Sequence, residues 1–148
     1  MRALELKIHP PYLWLLMGLP AVTGELIGLG DWQLFPVILL LGSAVTLGLM
    51  GLFQFYCAKT TYHPHVPHQS KMLVTSGVYQ ISRNPMYLGL LMMLTALYLG
   101  FQNPLGWVFV PLFVLWLQRF QISVEERVLA EKFGSSYQRY CDRVRRWC

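Results

Sequence analysis

The sequence predicts an all-α integral membrane protein with about four transmembrane helices and a cytoplasmic amphipathic C-terminal helix. Of the 148 residues, 55% are hydrophobic and only 13% are charged, whereas soluble domains carry about a quarter charged residues. The charges are also segregated, because long stretches lack them and most cations fall into three clusters. An unusually apolar soluble core would not separate its charges in this way, so we favour a membrane fold.

Four apolar segments are expected to cross the bilayer and to form a single domain over residues 1–148. They run over about 11–29, 34–57, 86–100 and 104–122. A spanning helix needs about 20 residues, so the third segment is short. The connections at 30–33 and 101–103 are tight and contain no Lys or Arg. Because no A-x-A-like cleavage site follows the first segment, we interpret it as a helix rather than a signal peptide.

The distribution of Lys and Arg predicts the orientation in the membrane. Cations precede the first segment, occur in the loop 58–85 between the second and third segments, and follow from Arg119 onward. Both termini and the loop 58–85 are therefore expected in the cytoplasm, by the positive-inside rule. We expect a bacterial inner membrane as the location.

Residues 123–147 read as a helical tail after the fourth segment. Ser123 and Glu126 fit a capping box, although the fourth helix could also run through this position. Apolar residues three or four positions apart give the tail one apolar face: Leu129, Phe133, Tyr137, Tyr140, Val144 and Trp147. The run from Gly134 to Ser136 is expected to break or bend the helix.

The first candidate site lies where the loop 58–85 meets the third segment. Asn84 before Pro85 marks a turn, and Pro85 suits the first position of a helix. The free N–H groups of such a helix start, together with the Arg83 guanidinium, could bind a carboxylate or phosphate. Alternatively, Arg83 only anchors the chain at the headgroups, and Tyr79 and Tyr87 belong to an interfacial aromatic belt.

The second candidate site is the acidic pair Glu125-Glu126 just after the fourth segment. Two acids here would not help the chain to bind an anionic bilayer. They could begin a capped helix, favoured by its macrodipole. They could also bind a cationic group, such as the α-ammonium of an amino acid.

Other polar residues give weaker signals. His63, His65 and His68 lie close together, but the intervening prolines force an extended path and no Cys or acid is interleaved, so we expect no metal site. A histidine here could instead contact a substrate or cofactor. Glu25 in the first segment is either functional or reaches the nearby outer interface. The three cysteines have no metal or redox spacing.

Several ordered motifs carry a resemblance to a known family. They are Pro64-His65-x-Pro67, then Leu73-Val74-Thr75-Ser76-Gly77-x-Tyr79, then Arg83-Asn84-Pro85-Met86-Tyr87-x-Gly89, and Glu125-Glu126-x-x-Leu129-x-x-x-Phe133-Gly134-x-x-Tyr137-x-x-Tyr140-x-x-x-Val144-x-Arg146-Trp147. The series, over about residues 60–147, closely resembles the isoprenylcysteine carboxyl methyltransferase family. The related phospholipid N-methyltransferases share much of it. The first 58 residues match only as hydrophobic helices.

The resemblance implies a helical membrane fold whose cytoplasmic end encloses S-adenosylmethionine (SAM), with a lipid-like substrate entering from the bilayer. It implies catalytic roles for Arg83 and Tyr87. The cofactor-binding residues that it implies are His65, Tyr79, Arg83, Asn84, Pro85, Tyr87, Glu125 and Glu126.

The chemistry of SAM agrees with these residue types. Arg83 suits the carboxylate, a glutamate suits the ammonium, and tyrosine faces can attract the sulfonium. Neighbours on a helix point about 100° apart, so Glu125 and Glu126 are expected to differ in role, with Glu126 facing SAM. Many relatives carry His at the position of Asn84, and Asn cannot titrate near neutrality, which excludes a histidine base there.

The predicted function is SAM-dependent methyl transfer to a lipophilic or prenylated substrate, with an isoprenylcysteine-like carboxylate favoured because a carboxylate needs no base. The alternatives are a phospholipid N-methyltransferase, an NADPH-dependent membrane reductase and a non-catalytic membrane scaffold. The reductase is disfavoured because cofactor phosphates would call for more basic residues. A scaffold would use the basic tail to bind anionic lipid. Membrane lipids are expected partners, and nucleic acid is not.

Overall fold

The computed structural model describes residues 9–26, 28, 32, 34–58 and 72–148. Every regular element among them is helical. They are α1 (Pro10–Gly18) with a 3₁₀ extension (Leu19–Thr23), α2 (Leu34–Cys57), a 3₁₀ turn (Gly77–Gln80), α3 (Pro85–Gly100), α4 (Gly106–Trp116) with a π-helical segment (Leu117–Ile122), α5 (Ser123–Phe133) and α6 (Ser135–Arg143).

The first helix is shorter than the predicted segment 11–29. α1 ends at Gly18, and the chain continues as the 3₁₀ stretch Leu19–Thr23. Pro20 lies in this stretch, and a proline has no N–H to continue the α-helical ladder. Gly24 is extended, with φ −82° and ψ 177°, so it ends the helical run.

The second and third helices match the predicted segments and pack along one another. They approach closely at Gly89 on α3, where the Cβ of any larger residue would lie 2.9 Å from the Ala44 carbonyl oxygen of α2. A glycine is therefore required there for the two backbones to come this close. The contact fixes the start of α3 against α2, where the candidate site residues lie.

The fourth predicted segment continues without a break into the tail. The capping box at Ser123 is wrong, because Ser123 has helical angles (φ −62°, ψ −29°) and its hydroxyl donates back to the Gln118 carbonyl at 2.5 Å. The hydroxyl is thus used inside the helix rather than at a helix start. The result is one continuous helix over Gly106–Phe133.

Among the described residues, two helices are long and apolar enough to cross a membrane: Leu34–Cys57 and Gly106–Phe133. Pro85–Gly100 is apolar but shorter, at 16 residues, or about 24 Å. The expected count of four transmembrane helices is therefore not confirmed. Large apolar side chains such as Phe35, Phe53 and Trp107 lie exposed on these helices, which fits a lipid environment.

The predicted helical tail 123–147 consists of two helices, α5 and α6, and its last helix ends at Arg143. Gly134 separates α5 from α6 and has a positive φ of 51°, a conformation that favours glycine. This is the break expected at Gly134. α6 ends at Arg143, because Val144 is extended (φ −122°, ψ 128°) and the residues after it bond to the turn before α3. The α6 side chains Tyr137 and Tyr140 are buried together with Val144.

The main core lies between α1, α3 and α4. Its centre consists of fully buried apolar side chains, including Leu94 and Phe113. Tyr98 on α3 donates a hydrogen bond from its hydroxyl to the Met17 carbonyl at 2.6 Å. The predicted turn at Asn103 is also tied to the first helix, since the Asn103 amide donates to the Pro20 carbonyl at 2.9 Å. These bonds hold the ends of α1 and α3 together away from the candidate site.

Candidate active site

A cavity of about 480 Å³ opens among α1, α2, α3, α5 and α6, at the ends of the helices where the loop 58–85 joins. Most of its lining is apolar, including Leu52, Phe55, Leu73 and Leu90. The remaining wall carries ionisable and phenolic groups, among them Arg83, Tyr79, Tyr87, Glu125 and Glu126. An apolar pocket with a few converging polar groups is the usual form of a small-molecule site.

The turn before α3 shapes one wall of the cavity. Gly77 has φ +60°, and a side-chain carbon there would collide with the Gln54 amide of α2 at 2.2 Å. The Asn84 backbone N–H donates to the Ser82 hydroxyl at 3.1 Å, and Pro85 then begins α3. The positive φ favours glycine at position 77, and proline suits the helix start.

The C-terminal segment after α6 lies against this turn. The backbone N–H of Arg83 donates a hydrogen bond to the backbone carbonyl of Arg145 at 3.0 Å. Two side chains donate to the Arg146 carbonyl: the Asn84 amide at 2.9 Å and the Ser82 hydroxyl at 3.3 Å. Ser82 is buried. The Asn84 side chain therefore fixes the C-terminal segment.

Glu126 is paired with two arginines. Its Oε1 lies 3.2 Å from the Arg83 Nη2 and accepts a hydrogen bond from the Arg146 Nε at 3.1 Å. Its Oε2 lies 2.5 Å from the Arg146 Nη2. Since the Arg83 and Glu126 side chains are 16% and 19% exposed, their ion pair is partly shielded from water. Charge-assisted bonds of this kind are shorter and stronger than neutral ones.

The Arg83 guanidinium has a further contact and an unused donor. Its Nη1 donates to the Cys141 Sγ of α6. Its Nε is buried and has no hydrogen-bond partner among the described residues. A buried donor without a partner is costly, and it indicates that the guanidinium has capacity left for a ligand.

Glu125 has a different environment from its neighbour. Its Oε1 accepts hydrogen bonds from the Tyr87 hydroxyl at 2.5 Å and from the Gln121 side-chain amide at 3.0 Å. Neither donor is charged, and within the described part of the chain Glu125 forms no salt bridge. A carboxylate on a cavity wall without a cationic partner can bind a cation from a ligand.

Buried tyrosines complete the polar wall. Burial raises the pKa of the Tyr79, Tyr137 and Tyr140 phenols above their usual value, so they remain neutral near physiological pH. The Tyr140 hydroxyl donates to the Tyr79 carbonyl at 2.7 Å and ties α6 to the turn before α3. The Tyr79 ring meets Phe55 edge to face, with centroids 5.5 Å apart. Neutral aromatic faces suit a cationic sulfur or nitrogen centre.

The cavity brings together most of the site residues predicted from the sequence. Tyr79, Arg83, Asn84, Pro85, Tyr87, Glu125 and Glu126 all line it. His65 lies outside the described residues, as do His63 and His68. No metal-binding group of His, Cys, Asp or Glu occurs in the described ranges. Glu25 is exposed near the far ends of α1 and α3, away from the cavity.

The site residues predicted from the sequence do not include Gln121 or Arg146, although Arg146 belongs to the C-terminal motif. Gln121 precedes Glu125 by one helical turn, so helical spacing could have indicated their contact. By position in the sequence, Arg146 is one of several cations of the basic tail. Its partner Glu126 is 20 residues away, and no local periodicity links the two.

Comparison with known proteins identifies the family. The profile of the phospholipid methyltransferase family matches residues 32–136. The chain belongs to this family, which confirms the resemblance drawn from the motifs and indicates a membrane-associated methyltransferase.

Two relatives each match less than half of the chain. It is 48% identical over 62 residues to an uncharacterized protein of Haemophilus influenzae, which covers 42% of this chain and 98% of that protein. It is 41% identical over 76 residues to the protein-S-isoprenylcysteine O-methyltransferase of Saccharomyces cerevisiae, a match to 49% of this chain and 30% of the yeast protein. No solved structure gives a significant match.

Proposed function

We propose that the protein transfers a methyl group from SAM to a lipid-like acceptor at the membrane, and that the acceptor group is an isoprenylcysteine-like carboxylate. The observation that carries the proposal is the polar wall of the cavity. It holds Arg83 and Glu126 beside Glu125, whose carboxylate has no cationic partner among the described residues. Arg146 pairs with Glu126 from outside the cavity lining. A zwitterionic amino-acid group needs both signs of charge side by side, and this wall offers both.

The cavity fits the size and chemistry of SAM. Its volume of about 480 Å³ lies within the range of about 300–1,000 Å³ for small-molecule sites. The guanidinium of Arg83, with its buried unused Nε, and the start of α3 would hold the carboxylate. SAM, when bound, supplies an electrophilic methyl group on sulfur. The faces of Tyr79 and Tyr87 would lie near that sulfonium.

We assign the ammonium of SAM to Glu125, in place of the expected Glu126. Both oxygens of Glu126 already contact arginines, so a ligand ammonium at Glu126 would have to compete with two guanidinium groups. Glu125 accepts only neutral hydrogen bonds, from Tyr87 and Gln121. His65 stays a prediction for the loop that would close over the cofactor.

The apolar walls of the cavity support a lipophilic acceptor. Leu52, Phe55 and Leu90 offer a surface for a hydrocarbon or prenyl chain. A carboxylate acceptor needs no base, whereas an ammonium must first lose a proton. The name of the yeast relative supports a carboxylate as well.

The second candidate acceptor is the amine of a phospholipid. Two observations favour it: the description of the matching family and the position of His9, which lines the cavity. A neutral imidazole can accept the proton that an ammonium headgroup must lose.

We also propose that the chain forms one membrane domain over residues 1–148, with four crossings and both termini in the cytoplasm of a bacterial cell. The two long apolar helices support a membrane location. The short helix α3 would cross by starting within the interface. The absence of Lys and Arg from the connections at 30–33 and 101–103 supports the orientation.

Methyl transfer to a panel of acceptors tests the proposal. Purified full-length protein is incubated with methyl-labelled SAM and either an S-farnesylcysteine analogue or phosphatidylethanolamine vesicles. We expect the label to appear in the farnesylcysteine product. Mild base should then release the label from that product, as a methyl ester requires. Base-stable label in the phospholipid, lost in His9→Gln, would instead establish the amine acceptor. No SAM-dependent label in either, together with no SAM binding, would refute the methyltransferase proposal.

A further inference from the structure

Arg146 follows the last helix and pairs with Glu126 of the polar wall, although Arg146 itself does not line the cavity. Its backbone carbonyl accepts hydrogen bonds from Asn84 and Ser82, so the segment is fixed at its main chain. Its side chain then reaches Glu126 with two nitrogens, at 3.1 and 2.5 Å. An exposed tail cation that served only to bind lipid would not be held at both its main chain and its side chain.

We propose that Arg146 is a positioning residue of the cofactor site, which holds the Glu126 carboxylate so that Glu126 in turn orients Arg83. This inference rests on the proposed SAM function. The C-terminal segment is then part of the methyl-donor site, and the contribution of Arg146 to SAM binding passes through Glu126.

The geometry explains why Glu126 alone would not orient Arg83. The ion pair with Arg83 uses one carboxylate oxygen, Oε1. The two-point contact from Arg146 fixes the plane of the carboxylate, because its Nε bonds to Oε1 and its Nη2 bonds to Oε2. Without Arg146 the carboxylate could rotate about its terminal bond, and Arg83 would lose its fixed partner.

The charge balance leads to the same expectation. With both arginines present, the cluster of Arg83, Arg146 and Glu126 carries one net positive charge, which suits a ligand carboxylate. Without Arg146 the cluster is neutral, and Oε2 of Glu126 loses the guanidinium that neutralises it. Binding of an anionic group at Arg83 should therefore weaken.

Calorimetry of SAM binding to the full-length protein, together with the KM for SAM, tests the proposal. The variants are Arg146→Gln, Arg146→Lys, Glu126→Gln and the double variant Arg146→Gln/Glu126→Gln. Arg139→Gln is the matched control, because Arg139 is an exposed cation of the same tail and is not one of the two arginines that pair with Glu126 among the described residues.

We expect Arg146→Gln to raise the Kd and the KM for SAM at least tenfold and Arg139→Gln to leave both unchanged. Arg146→Lys should bind SAM more weakly than the wild type, because lysine cannot make the two-point contact. In the Glu126→Gln background, Arg146→Gln should weaken binding by less than about threefold, since contacting residues are not additive.

The outcomes separate this inference from the proposed function. A wild-type chain that does not bind SAM refutes the function and, with it, the inference. Wild-type SAM affinity in Arg146→Gln, or equal losses in the two backgrounds, overturns the role of Arg146 alone. A loss of SAM affinity in Arg139→Gln equal to that in Arg146→Gln also overturns the role of Arg146. If Arg146→Gln does not fold, wild-type affinity in a folded Arg146→Lys overturns the two-point contact.

Discussion

Replacement of Glu125 by glutamine isolates the charge that we assign to the SAM ammonium. Glutamine has the same shape, and its side-chain oxygen can still accept from Tyr87 and Gln121, the two neutral donors of Glu125. The variant therefore removes a negative charge with little change in packing. A hydrogen bond to a charged group contributes about 1.5–3 kcal/mol, which corresponds to about a tenfold to hundredfold rise in the Kd for SAM.

Calorimetry with SAM measures this change directly. Glu131→Gln is the control, since Glu131 lies exposed on the same helix and outside the cavity lining. A SAM analogue without the α-amino group should bind the wild type and Glu125→Gln with similar affinity, because it has no ammonium to lose. If Glu125→Gln binds SAM as tightly as the wild type, the assignment of the ammonium to Glu125 is refuted.

Four further predictions concern the same structure. Arg83→Lys should weaken SAM binding at least tenfold, because lysine cannot reproduce the guanidinium contacts; wild-type affinity by calorimetry would mean that Arg83 is a headgroup anchor. Gly89→Val should lower the free energy of unfolding by about 1–3 kcal/mol through overpacking. The control Gly42→Val should not lower it, because a side-chain carbon at position 42 meets no atom of the described chain within 4 Å. Equal thermal midpoints for the two variants would contradict the close approach at Gly89. Tyr140→Phe should cost about 1 kcal/mol of stability by removing the bond to the Tyr79 carbonyl, measured by denaturant unfolding; no loss would argue against that tie. Reporter fusions at either terminus should indicate the cytoplasm, and an external C-terminus would contradict the orientation inferred from the cations.

Local patterns in the sequence predict the helices well where no tertiary contact competes with them. The predicted segment 34–57 has the bounds of α2, Leu34–Cys57, because it is a long apolar run without proline near its centre. The start of α3 at Pro85 also agrees, since proline favours the first helical position. The first predicted segment is too long because hydrophobicity alone does not show that Pro20 and Gly24 end the helix.

The site is harder to predict in the parts that depend on long-range contacts. The resemblance supplies the residues that line the cavity, and the turn chemistry of Asn84 and Pro85 agrees with it. The resemblance and the turn chemistry do not show that Arg146 pairs with Glu126 rather than with Glu125. This pairing depends on how the extended C-terminal segment folds back after Val144. Hydrogen bonds to main-chain carbonyls hold that segment, and such bonds leave little signal in side-chain pattern.

A structure of the full-length protein with S-adenosylhomocysteine bound tests the central claim most directly. This product of methyl transfer keeps the amino-acid group of SAM. We expect its ammonium within about 2.7–3.2 Å of a Glu125 oxygen, its carboxylate at Arg83, and the Glu126–Arg146 pair still closed. An amino-acid group located elsewhere in the cavity, or an ammonium that displaces Arg146 from Glu126, would contradict the account.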